Sequence, residues 1–92
     1  MLEKHIEKTC VNLAKKQGFE TRKVKFIASN GAPDRIFFKK GRFIWVEFKT
    51  TGGVVSELQK AQINKLRESG QEVHIIFSID DFKEIICLKE QI

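Results

Sequence analysis

Asp34 stands directly after Pro33, and Glu47 and Lys49 stand two positions apart on what reads as the following strand. Two carboxylates and a lysine do chemistry only if the fold brings them together, and the residues between them say how it would. After Arg35, Ile36, Phe37 and Phe38 form an apolar run. Lys39, Lys40, Gly41 and Arg42 are polar, and Phe43, Ile44, Trp45, Val46, Glu47, Phe48 and Lys49 are rich in aromatic and β-branched residues. That is a hairpin pattern. A turn on Lys40-Gly41 pairs Lys39 with Arg42, Phe38 with Phe43, Ile36 with Trp45 and Asp34 with Glu47. Directly opposed residues share a face, with Cβ atoms roughly 4.5–5.5 Å apart, and alternation puts Lys49 on the same face as Glu47. Opposed carboxylates repel, so a divalent cation is expected between them. Mg2+ or Mn2+ takes such oxygen ligands together with water and substrate phosphate. A lysine beside that ion orients water or offsets charge on a phosphate. The set is suited to hydrolysing a phosphodiester.

The same residues carry a family likeness. Pro33-Asp34 followed by Glu47-Phe48-Lys49 resembles the active-site signature of the PD-(D/E)XK nucleases. Gly31-Ala32-Pro33-Asp34, Val46-Glu47-Phe48-Lys49 and Ser56-Glu57-Leu58-Gln59 together resemble the VRR-NUC domain. With a first-helix glutamate, Gly70 and the downstream strand, the resemblance spans nearly the whole chain. It implies a restriction-endonuclease-like fold and a Mg2+- or Mn2+-dependent DNA endonuclease. Asp34, Glu47 and Glu7 would hold the metal, with the Phe48 carbonyl as a further ligand, Lys49 as the catalytic lysine and Gln59 beside it. Standalone domains of this kind resemble dimeric Holliday-junction resolvases, which implies branched DNA as substrate and a homodimer. A flap-type nuclease, an inactive nucleic-acid-binding module of the same fold, or a small interaction protein with an incidental acidic pair are the alternatives.

The elements that must position these residues follow from periodicity. Residues 2–17 read as an amphipathic helix, with Leu2, Ile6, Cys10, Val11, Leu13 and Ala14 on one arc and lysines on the other. Glu3 and Glu7 fall inside the apolar arc, where carboxylates seldom lie without a partner. The helix dipole accounts more readily for Glu3, in the first turn, than for Glu7. Gly18 ends the helix and Phe19 folds back onto it. Residues 20–28 alternate as a first strand, with Lys23 and Lys25 on one face, open either to a phosphate backbone or to solvent. Ser29, Asn30, Gly31 and Ala32 form a tight turn in which Asn30 and Gly31 are candidates for close approach to DNA.

Both faces of the hairpin are apolar, so it is expected to be central and packed on both sides. Thr50, Thr51, Gly52 and Gly53 form a flexible loop whose threonine hydroxyls either reach phosphate or merely connect elements. Ser56 and Gln59 make a capping box for a helix to Ser69, with Gly70 as the stop. Gln59 either caps that helix or turns inward with Leu58, Gln62, Ile63 and Leu66. Residues 73–77 form a last strand, parallel to the hairpin's second strand because a helix connects them. His74 reads as structural. A terminal helix from Ser78 carries Phe82, Ile85, Ile86 and Leu88 inward. The predicted order is α-β-β-β-α-β plus a C-terminal helix: an α/β domain over 1–92 with a central mixed sheet flanked by helices.

Composition sets the outer limits. Ninety-two residues with 41% hydrophobic and 32% charged content are those of one folded domain with a modest core. A net charge of +5 and a pI near 9.4 suit a polyanionic partner. Cys10 and Cys87 lie far apart, without zinc-ligand spacing, and both read as small buried hydrophobes in a reducing, cytoplasmic compartment. No apolar run reaches membrane-spanning length, and neither a membrane nor an organic cofactor is expected as a partner.

Overall fold

The computed structural model of the protein describes residues 2–88. Its elements are α1 (Glu3–Lys16), β1 (Glu20–Lys23), β2 (Arg35–Lys39), β3 (Arg42–Phe48), α2 (Glu57–Glu68), β4 (Glu72–Ile76) and α3 (Ile79–Leu88). Lys40 and Gly41, with φ of 46° and 83°, form a two-residue turn of the twist that suits a right-handed hairpin. The turn sets the register expected from sequence: Lys39 opposite Arg42, Phe38 opposite Phe43 and Ile36 opposite Trp45. β1 pairs antiparallel with β2 and β4 runs parallel to β3, which gives a mixed sheet in the order β1-β2-β3-β4.

Alternation in the hairpin separates two faces. Phe37, Ile44, Val46 and Phe48 point one way and are fully buried against Ile6, Cys10, Val11 and Ala14 of α1 and Phe82 and Ile86 of α3. Phe37 lies at the centre, with its ring 5.0 Å from Phe82 and 6.4 Å from Phe48. Phe19 returns onto α1 through its N–H to the Ala14 carbonyl and is buried there. The other face is covered only in part. Ile63 of α2 and Val73 of β4 are buried, but Phe38 and Trp45 are half-buried and Phe43 is 49% exposed. The expectation of a hairpin packed on both sides is therefore corrected: two helices cover one face and a single helix, offset toward β4, the other.

Three further expectations change. The first strand stops at Lys23 instead of continuing to residue 28, because the chain turns at Ile27-Ala28, where Ala28 takes a φ of 61°. Leu58 is exposed in the first turn of α2, outside the inward face. Cys10 is fully buried, with its thiol pushed up to about 12 by desolvation, whereas Cys87 is exposed. Of the terminal helix, Phe82 and Ile86 are buried as expected; the side chain of Leu88 lies outside the described residues. Among the described residues no helix is long and apolar enough to cross a membrane.

Candidate active site

One end of the sheet gathers the chemistry. β2 begins there, β3 and β4 finish there, and α1 and α2 both start there. Pro33, buried and without an N–H to satisfy, delivers Asp34 to the rim one residue before β2. Asp34 Oδ2 accepts the Phe48 N–H at 2.7 Å, so its carboxylate lies across the end of β3. The pairing of Arg35 with Val46, continued by one residue, sets Asp34 opposite Glu47. Glu47 is nearly inaccessible. Its Oε2 accepts a hydrogen bond from Gln59 Nε2 at 2.7 Å and lies 3.3 Å from Lys49 Nζ. Its Oε1 is buried and has no hydrogen-bond partner among the described residues.

Gln59 arrives there through the helix cap. Its Oε1 accepts the Ser56 N–H at 3.0 Å, its N–H donates to Ser56 Oγ at 3.1 Å, and its Nε2 is left to reach Glu47. Capping and site contact, which sequence offers as alternatives, are both made by one amide. The glycine before the acidic pair serves the same contact. A Cβ on Gly31 would stand 2.6 Å from the Leu58 carbonyl oxygen and 3.0 Å from the Gln59 nitrogen. What Gly31 approaches closely is thus the first turn of α2.

The electrostatics follow from burial and crowding. Desolvation, reinforced by the charge of Asp34, pushes the Glu47 carboxyl up to about 7 from an ordinary 4.5, against the pull of Lys49. Desolvation also raises Asp34; the Phe48 N–H opposes this, while Glu7 and Glu3 add to it. Glu3 acts on both carboxylates, Glu7 on Asp34. Such a pair favours either a shared proton or a cation.

The two helix glutamates have different surroundings. Glu7 Oε2 is held by Arg35 Nε at 2.6 Å, with Lys23 Nζ at 3.9 Å. Arg35 also donates to Thr21 Oγ1 at 3.3 Å. Sequence reasoning missed Arg35, although the signal was present. Alternation puts residue 35 on the Phe37 face, against α1, where a carboxylate in the apolar arc needs a cation. Glu3 is exposed in the first turn of α1. Among the described residues no three acidic, histidine or cysteine side chains converge into a ready metal cage.

The remaining candidates line the rim. Lys23, Lys25, Asn30 and Thr51 are exposed, Gly31 and Thr50 are half-buried, and Thr50 accepts the Gly53 N–H through its carbonyl. His74 sits at the middle of β4, opposite Val46. It is bonded to Glu72, which lies at the end of the strand away from this site and also pairs with Arg42.

No protein-family model matches the sequence, and no curated protein is detectably similar to it. Solved structures are. One described as a VRR_NUC domain superposes with a TM-score of 0.84 at 22% identity, over 91% of this chain and 92% of its own. A second, a VRR_NUC domain protein, superposes with a TM-score of 0.78 at 19% identity, over 94% of this chain and 85% of its own. The likeness read from the motifs is borne out in the fold: the α-β-β-β-α-β-α order and mixed sheet are those of a VRR_NUC domain.

Proposed function

We propose that the protein is a Mg2+- or Mn2+-dependent DNA endonuclease that acts on branched substrates as a homodimer. Branched substrates and the dimer are inferred from the resemblance to junction resolvases, and the observation that carries the metal-dependent activity is the state of Glu47. It is a carboxylate withdrawn from water and set against Asp34, with one oxygen bonded to Gln59 and the other buried without a partner among the described residues. A buried polar atom without a partner is costly, and a hard divalent cation would supply one. The donors are all oxygens, which suits Mg2+ or Mn2+ and not a thiolate-seeking metal. Asp34 and Glu47 would hold the ion. In extended backbone the N–H and C=O of a residue point to the same side, so the Phe48 carbonyl lies on the side where its N–H meets Asp34 and is available as a further ligand. From α1, Glu3 is the carboxylate whose charge bears on both acids, while Glu7, tied to Arg35, bears on Asp34. When bound, the metal polarises the phosphate and lowers the pKa of water.

The chain's own residues do the rest. Gln59 fixes the Glu47 carboxylate, and Glu47 in turn holds Nζ of the largely buried Lys49 side chain. Lys49 orients the attacking water and offsets charge as its oxygen bonds phosphorus and the P–O ester bond breaks. The water's proton leaves to solvent or to a substrate phosphate oxygen, and the departing alkoxide takes a proton in return. Lys23, Lys25, Asn30, Thr50 and Thr51 lie where they would meet backbone phosphates.

One observation favours a second reading, an inactive DNA-binding module: Glu7 is bonded to Arg35, and among the described residues no third carboxylate closes on the pair. The two are separated by incubating the protein and its Lys49→Ala variant with four-way junctions, flaps and nicked duplex, with Mg2+ or Mn2+ or with chelator. A nuclease nicks only with metal, and Lys49→Ala lowers the rate ~10²-fold or more while DNA binding persists. Binding without metal-dependent nicking by the unmodified chain identifies the inactive module.

A further inference from the structure

We propose that Ile27 is a wedge that separates stacked bases at a branch point beside the active site. The proposal rests on the reading of that site as one for branched DNA and adds the element that would recognise the branch. Ile27 stands at the apex of the segment that leaves β1 and returns as Asp34, and its side chain is 92% exposed. Turn apices ordinarily carry Gly, Asn, Asp, Ser or Pro, so a β-branched aliphatic there needs another reason. The next residue, Ala28, takes a φ of 61°, a left-handed conformation without the glycine that would relieve it.

The apex is braced from both sides. Before it, the Val24 N–H donates to the Asp34 carbonyl at 3.0 Å, and the Phe26 ring meets Trp45 edge-on at 6.5 Å. After it, Ser29 Oγ accepts from Gln62 Nε2 at 3.1 Å, and Gly31 rests on the backbone of Leu58. A side chain held up in this way does not fold back onto the sheet. The occupant it fits is nucleic acid: exposed Lys23 and Lys25 lead into the apex, Asn30 follows it, and the segment ends at the acid of the site. Isoleucine is among the side chains that unstack base steps when cationic neighbours hold the backbone.

The test uses four-way junctions carrying 2-aminopurine at the branch nucleotides, titrated with the full chain without metal, so that the signal does not depend on cleavage. The unmodified chain is expected to raise the fluorescence at least threefold, and Ile27→Ala to lose most of the rise. With Mn2+, Ile27→Ala should cut a fully paired junction at least tenfold more slowly, and a junction with two unpaired nucleotides at the branch should recover most of that loss. Equal fluorescence with both proteins overturns the wedge. So does a change of sedimentation coefficient in Ile27→Ala without DNA, which would make Ile27 a contact with a second copy. Ile27-dependent fluorescence in a chain that cuts no DNA would refute the nuclease and leave the wedge standing.

Discussion

Glu47 shows what a single residue contributes to this account, and its protonation has a sign that can be worked out. Its carboxyl titrates near 7 in the folded chain and near 4.5 ordinarily. The folded state therefore holds this proton more tightly than the unfolded state. The stability so gained is complete below the ordinary carboxylate value and is lost as pH rises toward about 7. Metal-free protein should lose on the order of 2–3 kcal/mol from this group between pH 4.5 and 7. Urea unfolding across that range should show the loss, and Glu47→Gln should flatten it. The placing of Asp34, Glu47 and Lys49 was legible in the sequence because hairpin alternation and a glycine turn leave one register. The partner of Glu7 was not, because helical periodicity reports a face and not which cation across the core takes up a carboxylate. Arg35 decided that, and it is a partner from a different element.

At the scale of elements, the first turn of α2 is the part on which the site depends. Ser56 caps it, Gln59 leaves it for Glu47, and Gly31 presses against its backbone. Gly31→Ala would add a Cβ 2.6 Å from the Leu58 oxygen at a φ of +89°, so that either the loop or the helix start must shift. We expect a loss of about 2 kcal/mol or more, seen as a fall in Tm of roughly 10 °C, together with reduced cleavage as Gln59 moves. Gly52→Ala is the control: its φ is also positive, at +81°, but among the described residues nothing lies within 4 Å of the new Cβ. It should lose about half as much, from backbone strain alone. A sequence marks such a glycine as a turn but cannot say what it packs against. The shortened β1 has a similar cause. Residues 24–28 alternate like a strand, yet Phe26 anchors on Trp45 and the chain turns away at Ala28.

Over the whole molecule, the site occupies one end of the sheet, with the partly covered aromatic face running back from it through Trp45, Phe38 and Phe43. The order of elements and the mixed sheet could be read from spacing, since a helix between β3 and β4 leaves little choice but a parallel pair. How far α2 covers the second face could not, because a one-helix and a two-helix cover give the same strand pattern. With a net charge of +5, binding to a four-way junction should weaken ~10²–10³-fold between 50 and 200 mM salt if about five phosphates are contacted. Sedimentation with the junction should give two protein copies per DNA, whereas one copy per junction would remove the dimer. The central claim is that Asp34 and Glu47 share a cation. Titration of Mn2+ into the protein, with free Mn2+ followed by its paramagnetic resonance, tests it without DNA or catalysis. We predict saturable binding to the unmodified chain that falls at least tenfold in both Asp34→Asn and Glu47→Gln; uptake equal in all three proteins would contradict it.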